Sequence, residues 1–269
     1  MVSFPNGKIN LGLNIISKRE DGYHDIETVF YPVGLKDVLE IIPSADLIFT
    51  FSGLMISGKM EDNLCLKAYN LLKKDFPTLP IIKIHLHKAI PMGAGFGGGS
   101  ADGAFMLKML NDKFHLGLSN KQLSEYALQL GSDCHFFIIN KPSLATERGQ
   151  AMIAVNPDLS EYKFVLIDTG IHISTKWAFS QITPSRPSLS IAEIIARPVE
   201  TWKEYLKNDF EDVVFKIYPE TEIIKKTLYN NGATYASMSG SGSGVFGIFN
   251  TNFTSALKFE QNYKSTWVT

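Results

Sequence analysis

The stretch PMGAGFGGGSADGA, residues 91–104, holds six glycines and a serine between an apolar alternating run and an amphipathic one. Upstream, IIKIHLHKAI sets Ile82, Ile84 and Leu86 against Lys83, His85 and His87, which is strand periodicity. Downstream, Ala101, Phe105 and Met109 recur every four residues with Ala104 beside them, which is one face of a helix. Glycines in such a junction admit positive φ and let the backbone approach a ligand closely. A helix start adds unpaired N–H groups and a partial positive charge. The combination predicts an anion site, and phosphate is the usual anion. A glycine-rich turn without a ligand is the plainer alternative.

Two familiar phosphate patterns fit less well. Gly93-x-Gly95-x-x-Gly98 matches a dinucleotide fingerprint, with Asp112 near the distance for a ribose contact. That fingerprint belongs after a first strand, whereas nearly ninety residues with several strand-like runs precede it here. Gly53-Leu-Met-Ile-Ser-Gly58-Lys59 fits a Walker A loop until Met60 replaces the Mg²⁺-holding hydroxyl. No protein kinase catalytic loop is present either.

The glycine run resembles the second motif of the GHMP small-molecule kinases, through Pro91, Gly95, Phe96, Gly97, Gly98, Gly99, Ser100 and Ala101. FPNGKINLGLNII near the N-terminus resembles that family's first motif, and SMSGSGSGVFGIF (237–249) its third. Lys8, Gly22-Tyr23-His24, Asp62-Asn63-Leu64 and Gly131-Ser132-Asp133 narrow the resemblance to the branch that phosphorylates 4-diphosphocytidyl-2-C-methyl-D-erythritol. It runs from about residue 4 to residue 249. Another alcohol acceptor, homoserine or mevalonate, and a non-catalytic sensor on the same fold are the alternatives.

Composition is compatible with this. The 269 residues, 45% of them apolar and 20% charged, suit one large soluble domain or two lobes. A net charge of −1 argues against nucleic acid or an anionic membrane as the main partner. Cys65 and Cys134 lack the spacing of a zinc site or a disulfide framework. No apolar run is long enough to span a bilayer, and no signal or transit segment stands before the first motif, so a cytoplasmic protein is expected.

Strands are expected at 8–16, 27–33, 38–42, 47–52, 134–139, 151–155 and 163–168, and helices at 63–75, 100–113 and 119–130. From Thr169 to Asn231 the chain reads as mostly helical before returning to strand. This order is α+β with antiparallel pairing. The resemblance implies the two-lobed GHMP kinase fold, with a ribosomal S5 domain 2-like lobe over 1–155 and a ferredoxin-like lobe over 156–269.

It also implies the roles of individual residues, with ATP and Mg²⁺ as cofactors. Pro91, Gly93, Ala94, Gly95, Gly97, Gly98, Gly99, Ser100 and Ala101 would cradle the triphosphate, and Asn63 would bond the nucleotide. Ser100 is the one metal-ligand candidate among them; its plainer role is to cap the following helix. Asp133, at an expected helix-to-strand junction, would be the catalytic base, with Lys8 beside it. A lysine near that acid would keep it ionised, so orienting the hydroxyl is the alternative to deprotonating it. Tyr23 and Phe179 would stack the cytosine while His24 reads its edge. Thr175 lies in the segment leading to Phe179. Asn10 would bond substrate, and Gly240, Ser241 and Gly242 would approach a phosphate. Packed-core roles are the alternative for the aromatics.

Overall fold

The computed structural model describes residues 1–259 and 263–268. The chain begins with strands β1 (Val2–Ser3), β2 (Asn6–Lys18), β3 (His24–Lys36), β4 (Val38–Pro43) and β5 (Ile48–Gly53). Helix α1 (Leu64–Asp75), strand β6 (Ile82–Lys88) and helices α2 (Gly98–Phe114), α3 (Asn120–Leu130) and α4 (Cys134–Ile139) follow. Next come β7 (Ser143–Glu147), β8 (Ala151–Ala154), β9 (Tyr162–Asp168), α5 (Thr175–Gln181), α6 (Ile191–Ile195) and α7 (Trp202–Tyr205). The remainder is α8 (Glu211–Ile217), α9 (Pro219–Asn230), β10 (Tyr235–Met238), β11 (Val245–Asn250) and β12 (Lys264–Val268).

These elements form two compact units. The first comprises residues 1–7, 35–92 and 97–141; the second comprises 8–34, 93–96 and the described residues from 142 onward. They interleave along the chain rather than dividing at one cut, and the two-lobe boundary at residue 155 stays a proposal drawn from the resemblance.

In the first unit a sheet runs β1-β4-β6-β5, antiparallel except for the β5–β6 pair. Ile82, Ile84 and Leu86 of β6 are fully buried while Lys83 and His87 are exposed, as the alternation predicts. Helices α1 and α2 pack closely: a Cβ on Gly103 would sit 2.9 Å from that of Leu64. Helix α3 opens with a capping box between Ser119 and Gln122.

The expected strand at 134–139 is instead helix α4. Six apolar residues carry no decisive period, and burial of Cys134, Phe136, Phe137 and Ile138 suits either form. Chain geometry decides. Gly131 ends α3, and Asn140 takes a left-handed conformation, its N–H donating to Phe136 O at 2.7 Å to close α4. Strands β1, β7 and β12 also form where none was expected.

The second unit contains two sheets, β2-β3-β7-β8 and the antiparallel β10-β11-β9-β12. Val165, Ile167, Ile224, Leu228, Val245 and Phe249 form one buried cluster. Leu13, Ile15, Ile173, Ala178, Phe210, Val214 and Met238 form another. Burying each such side chain contributes about 1.5–3 kcal/mol.

Candidate active site

The glycine segment divides into two parts with different tasks. The carbonyls of Ala94, Gly95 and Phe96 are consumed by the other two motifs. Gly244 N–H donates to Ala94 O at 3.1 Å, Ser239 Oγ to Gly95 O at 2.9 Å, and Lys8 N–H to Phe96 O at 2.9 Å. The approach is tight enough to require glycine. A Cβ on Gly95 would lie 1.9 Å from Ser239 O, and one on Gly244 2.4 Å from Ala94 O. Gly93, Gly95 and Gly97 all have φ between +71° and +77°.

From Gly97 onward the chain enters α2 two residues earlier than expected. Gly97 is the N-cap, left-handed and without a side-chain cap, so Ser100 stands inside the first turn and does not cap it. Ala101 N–H returns to Gly97 O at 2.9 Å, which removes Ala101 from the candidate donors. Among the described residues, the N–H groups of Gly95, Gly97, Gly98 and Gly99 find no protein acceptor. A Cβ on Gly99 would have nothing within 4 Å. Ser100 hydrogen-bonds the Cys134 thiol, which burial pushes up to about 12 and that bond partly offsets. Pro91 is buried and has no N–H to offer.

Beneath this segment lies a charged cluster that the sequence reading missed. Lys88 Nζ bonds Asp37 Oδ2, and Asp102 Oδ2 at 2.8 Å; all three residues are at most 3% exposed. Asp37 Oδ1 also accepts from Ala89 N–H (2.6 Å) and Ile90 N–H (2.9 Å). Lys88 thus ties the end of β6 to α2, and Asp37 fixes the turn that follows. Burial pushes Asp102 up to about 8 against the pull of Lys88, with Asp37 reinforcing the rise. Burial alone would lower Lys88, but the two carboxylates outweigh it and hold it above its ordinary value. Asp102 Oδ1 has no protein partner among the described residues, while Oδ2 accepts from Lys88. A lone acid inside a helix gave no sequence signal for this.

A cavity of about 160 Å³ adjoins the cluster. Ile56, Leu64, Leu86 and Met92 give it apolar walls; Ser57, Asn63, Gly99 and Asp102 add polar atoms. Asn63 caps α1, its Oδ1 accepting from Cys65 N–H at 2.9 Å, so its amide NH₂ is the end that faces outward chemistry.

Asp133 is half-buried at the N-terminus of α4, between two helices rather than before a strand. Ser132 Oγ approaches its Oδ1 at 3.5 Å. Lys8 is in the second unit and Asp133 in the first. Lys8 is 3% exposed. Its Nζ donates to Asn10 Oδ1 at 2.6 Å and lies 5.1 Å from the centroid of the Phe30 ring. Asn10 Nδ2 in turn donates to Thr28 Oγ1 at 2.9 Å. Both ends of the Asn10 amide are therefore engaged within the second unit. Asn10 thus holds Lys8 in place, and its expected bond to substrate stays a proposal.

The β2–β3 turn presents the aromatic candidates. Arg19 bonds Asp21 and Asp25, and Tyr23 N–H donates to Asp21 Oδ1 at 3.1 Å. Tyr23 is thereby held 53% exposed. The Arg148 guanidinium lies 3.8 Å from the centroid of its ring, a contact no sequence spacing revealed. His24 stacks on Phe179 with centroids 5.0 Å apart and planes 18° from parallel, and Phe210 meets Phe179 edge-on at 4.9 Å. Burial and then Lys18 lower the His24 pKa, which favours a neutral ring with one donor and one acceptor nitrogen.

In the third motif, Thr175 Oγ1 and Ser241 Oγ are 3.0 Å apart, and Gly240 and Gly242 have φ of +58° and +89°. Buried Asn208, which the sequence did not single out, donates to Met238 O (2.8 Å) and Gly240 O (2.9 Å) and so shapes this loop.

Comparison with known proteins agrees with this arrangement. The GHMP kinases N terminal domain family matches residues 63–140, and the GHMP kinases C terminal family matches 190–267. A 4-diphosphocytidyl-2-C-methyl-D-erythritol kinase of Bacteroides fragilis is 55% identical over 253 residues, covering 93% of this chain and 92% of its own. One from Chlorobium limicola is 39% identical, covering 90% and 86%. A crystal structure of 4-(cytidine 5'-diphospho)-2C-methyl-D-erythritol kinase superposes with TM-score 0.80 at 28% identity, covering 92% of this chain and 90% of that one. Methanococcus jannaschii mevalonate kinase, at 11% identity and TM-score 0.71, shares the fold. The chain belongs to the GHMP kinases and, within them, to the 4-diphosphocytidyl-2-C-methyl-D-erythritol kinases.

Proposed function

We propose that this chain transfers the γ-phosphoryl group of ATP to the 2-hydroxyl of 4-diphosphocytidyl-2-C-methyl-D-erythritol, a step of non-mevalonate isoprenoid precursor synthesis. The observation that carries this is the division of labour in the glycine segment. Its carbonyls are bound by the first and third motifs, while the N–H groups of Gly95, Gly97, Gly98 and Gly99 have no protein acceptor among the described residues. A triphosphate supplies the acceptors such donors need.

The apolar-walled cavity beside Gly99 has the size for a purine, with Asn63 at its rim. Tyr23, backed by Arg148, and the His24–Phe179 pair form the two halves of a cytosine site, each stacked face contributing roughly 1–3 kcal/mol. Asp133 orients the acceptor hydroxyl and receives its proton as the phosphorus–oxygen bond forms. By the family resemblance, Lys8 stabilises the charge developing on that oxygen. Thr175, Gly240, Ser241 and Gly242 face the substrate's diphosphate.

No group of three His, Cys, Asp or Glu side chains suited to a metal occurs among the described residues. The Ser100 hydroxyl is the candidate protein ligand for Mg²⁺, which would arrive with the triphosphate and would neutralise charge on its phosphates. No helix among the described residues is long and apolar enough to cross a membrane, in keeping with a cytoplasmic enzyme of small molecules.

The test is ATP consumption by purified protein with the cytidyl alcohol, homoserine or mevalonate. Turnover is expected with the first alone. Asp133→Ala should lower kcat by at least ~10²-fold with ATP binding intact, the scale of lost proton handling. Unchanged turnover would remove Asp133 from its role.

A further inference from the structure

The outer face of the β1-β4-β6-β5 sheet carries His85 and His87, which the phosphoryl-transfer chemistry does not use. They are two residues apart on β6, so both rings stand on the same face. Their hydrogen bonds form a chain. His85 Nδ1 lies 2.9 Å from Thr50 Oγ1, His85 Nε2 lies 3.0 Å from Ser52 Oγ, and His87 Nδ1 lies 3.0 Å from the same Ser52 Oγ. Thr50 has one hydroxyl proton and donates it to Ile84 O at 3.3 Å. With that donation Thr50 Oγ1 accepts from His85 Nδ1–H in the tautomer whose lone pair is on Nε2. One oxygen, Ser52 Oγ, already sits at hydrogen-bond distance from a nitrogen of each ring. On β4, Glu40 stands directly opposite His85, and side chains so paired have Cβ atoms about 4.5–5.5 Å apart.

We propose that His85 and His87 form a chelating site for a late first-row divalent cation such as Zn²⁺, Ni²⁺ or Cu²⁺. Two imidazoles at alternate strand positions close on one ion with nitrogen–metal distances of about 2.0–2.1 Å. Imidazole selects this end of the series, whereas Mg²⁺ prefers oxygen. The ion takes the place of the Ser52 hydroxyl between the rings, water completes its shell, and Thr50 is the outer partner that fixes the His85 tautomer. The cation is separate from any Mg²⁺ carried by ATP.

Isothermal titration of the nucleotide-free protein with ZnCl₂ and with NiCl₂ tests this. One cation per chain at micromolar affinity is expected, with the C–H signals of His85 and His87 shifting together in NMR spectra. His85→Ala and His87→Ala should each weaken binding at least ~10-fold, since each removes half of a two-imidazole chelate. Thr50→Val should weaken it by about 10-fold through loss of the tautomer-fixing bond. Ser52→Ala should leave binding as tight or tighter, because it frees His85 Nε2. Turnover with MgATP should be unchanged in all four. Retained affinity in a His85→Ala/His87→Ala double variant, or binding no tighter than millimolar in the parent, overturns the proposal. So does weakened binding in Ser52→Ala.

Discussion

Gly95 and Gly99 stand four residues apart in one segment, and a methyl group would meet opposite surroundings at each. At Gly95 it would strike Ser239 O at 1.9 Å; at Gly99 it would enter open space. Gly95 has φ +77°, whereas Gly99 lies in the first turn of α2. The protein's own backbone demands glycine at 95, whereas nothing in the described protein demands it at 99, where the proposed triphosphate would approach. A glycine-rich loop is therefore two structures in series, an anchor and a mouth.

Gly95→Ala is the sharpest way to break that contrast. It combines a backbone clash with a strained φ, and urea denaturation should show a loss of more than about 4 kcal/mol. A fully folded, active Gly95→Ala protein would mean that the first and third motifs do not pin the loop.

The next effect concerns the charged cluster beneath the mouth. Asp102 has a folded-state pKa of about 8, above its unfolded value, so the folded chain holds a proton that the unfolded chain has released. Stability is therefore greatest below the unfolded pKa and falls as pH rises from about 4 to about 8, by up to about 1.4 kcal/mol per pH unit for one proton. Asp102→Asn, neutral at every pH, should flatten that slope in denaturation curves taken at successive pH values. An unchanged slope would place the extra proton elsewhere.

Phe179→Ala should raise KM for the cytidyl alcohol by ~10–100-fold, the cost of one stacked face, while leaving KM for ATP alone. Equal effects on both substrates would make Phe179 a core residue, as its contact with Phe210 alone would suggest. The smallest effect on stability is expected at Gly99. Gly99→Ala should shift it by less than about 1 kcal/mol, in the helix-favouring direction, yet raise KM for ATP several-fold by filling the mouth. That split between stability and KM is the signature of a glycine kept for a ligand.

The aromatic turn shows how far residue order could be read. Gly22-Tyr23-His24 and the segment leading to Phe179 were legible as a pair of candidates, and the structure stacks His24 on Phe179. Arg148 was not legible, because its place over Tyr23 depends on how β7 pairs with β3, and pairing leaves no local period. CHFFII misled for a related reason: six buried apolar residues satisfy a strand and a helix equally, and only the closure at Asn140 chose between them. Asn10 is the converse case. Its position in the first motif was readable, but its hydrogen bonds to Lys8 and Thr28 were not.

By itself the sequence determined the chemistry of the backbone: where glycines permit left-handed turns, where a helix start follows a strand, and which three motifs occur in order. Those properties are local, fixed by φ freedom and side-chain period over a few residues. Only the tertiary structure decided which loop carbonyls are consumed, which lysine is buried against carboxylates, and that Asp102 keeps its proton. Each of those depends on groups distant in sequence losing water together, and desolvation has no signature along the chain.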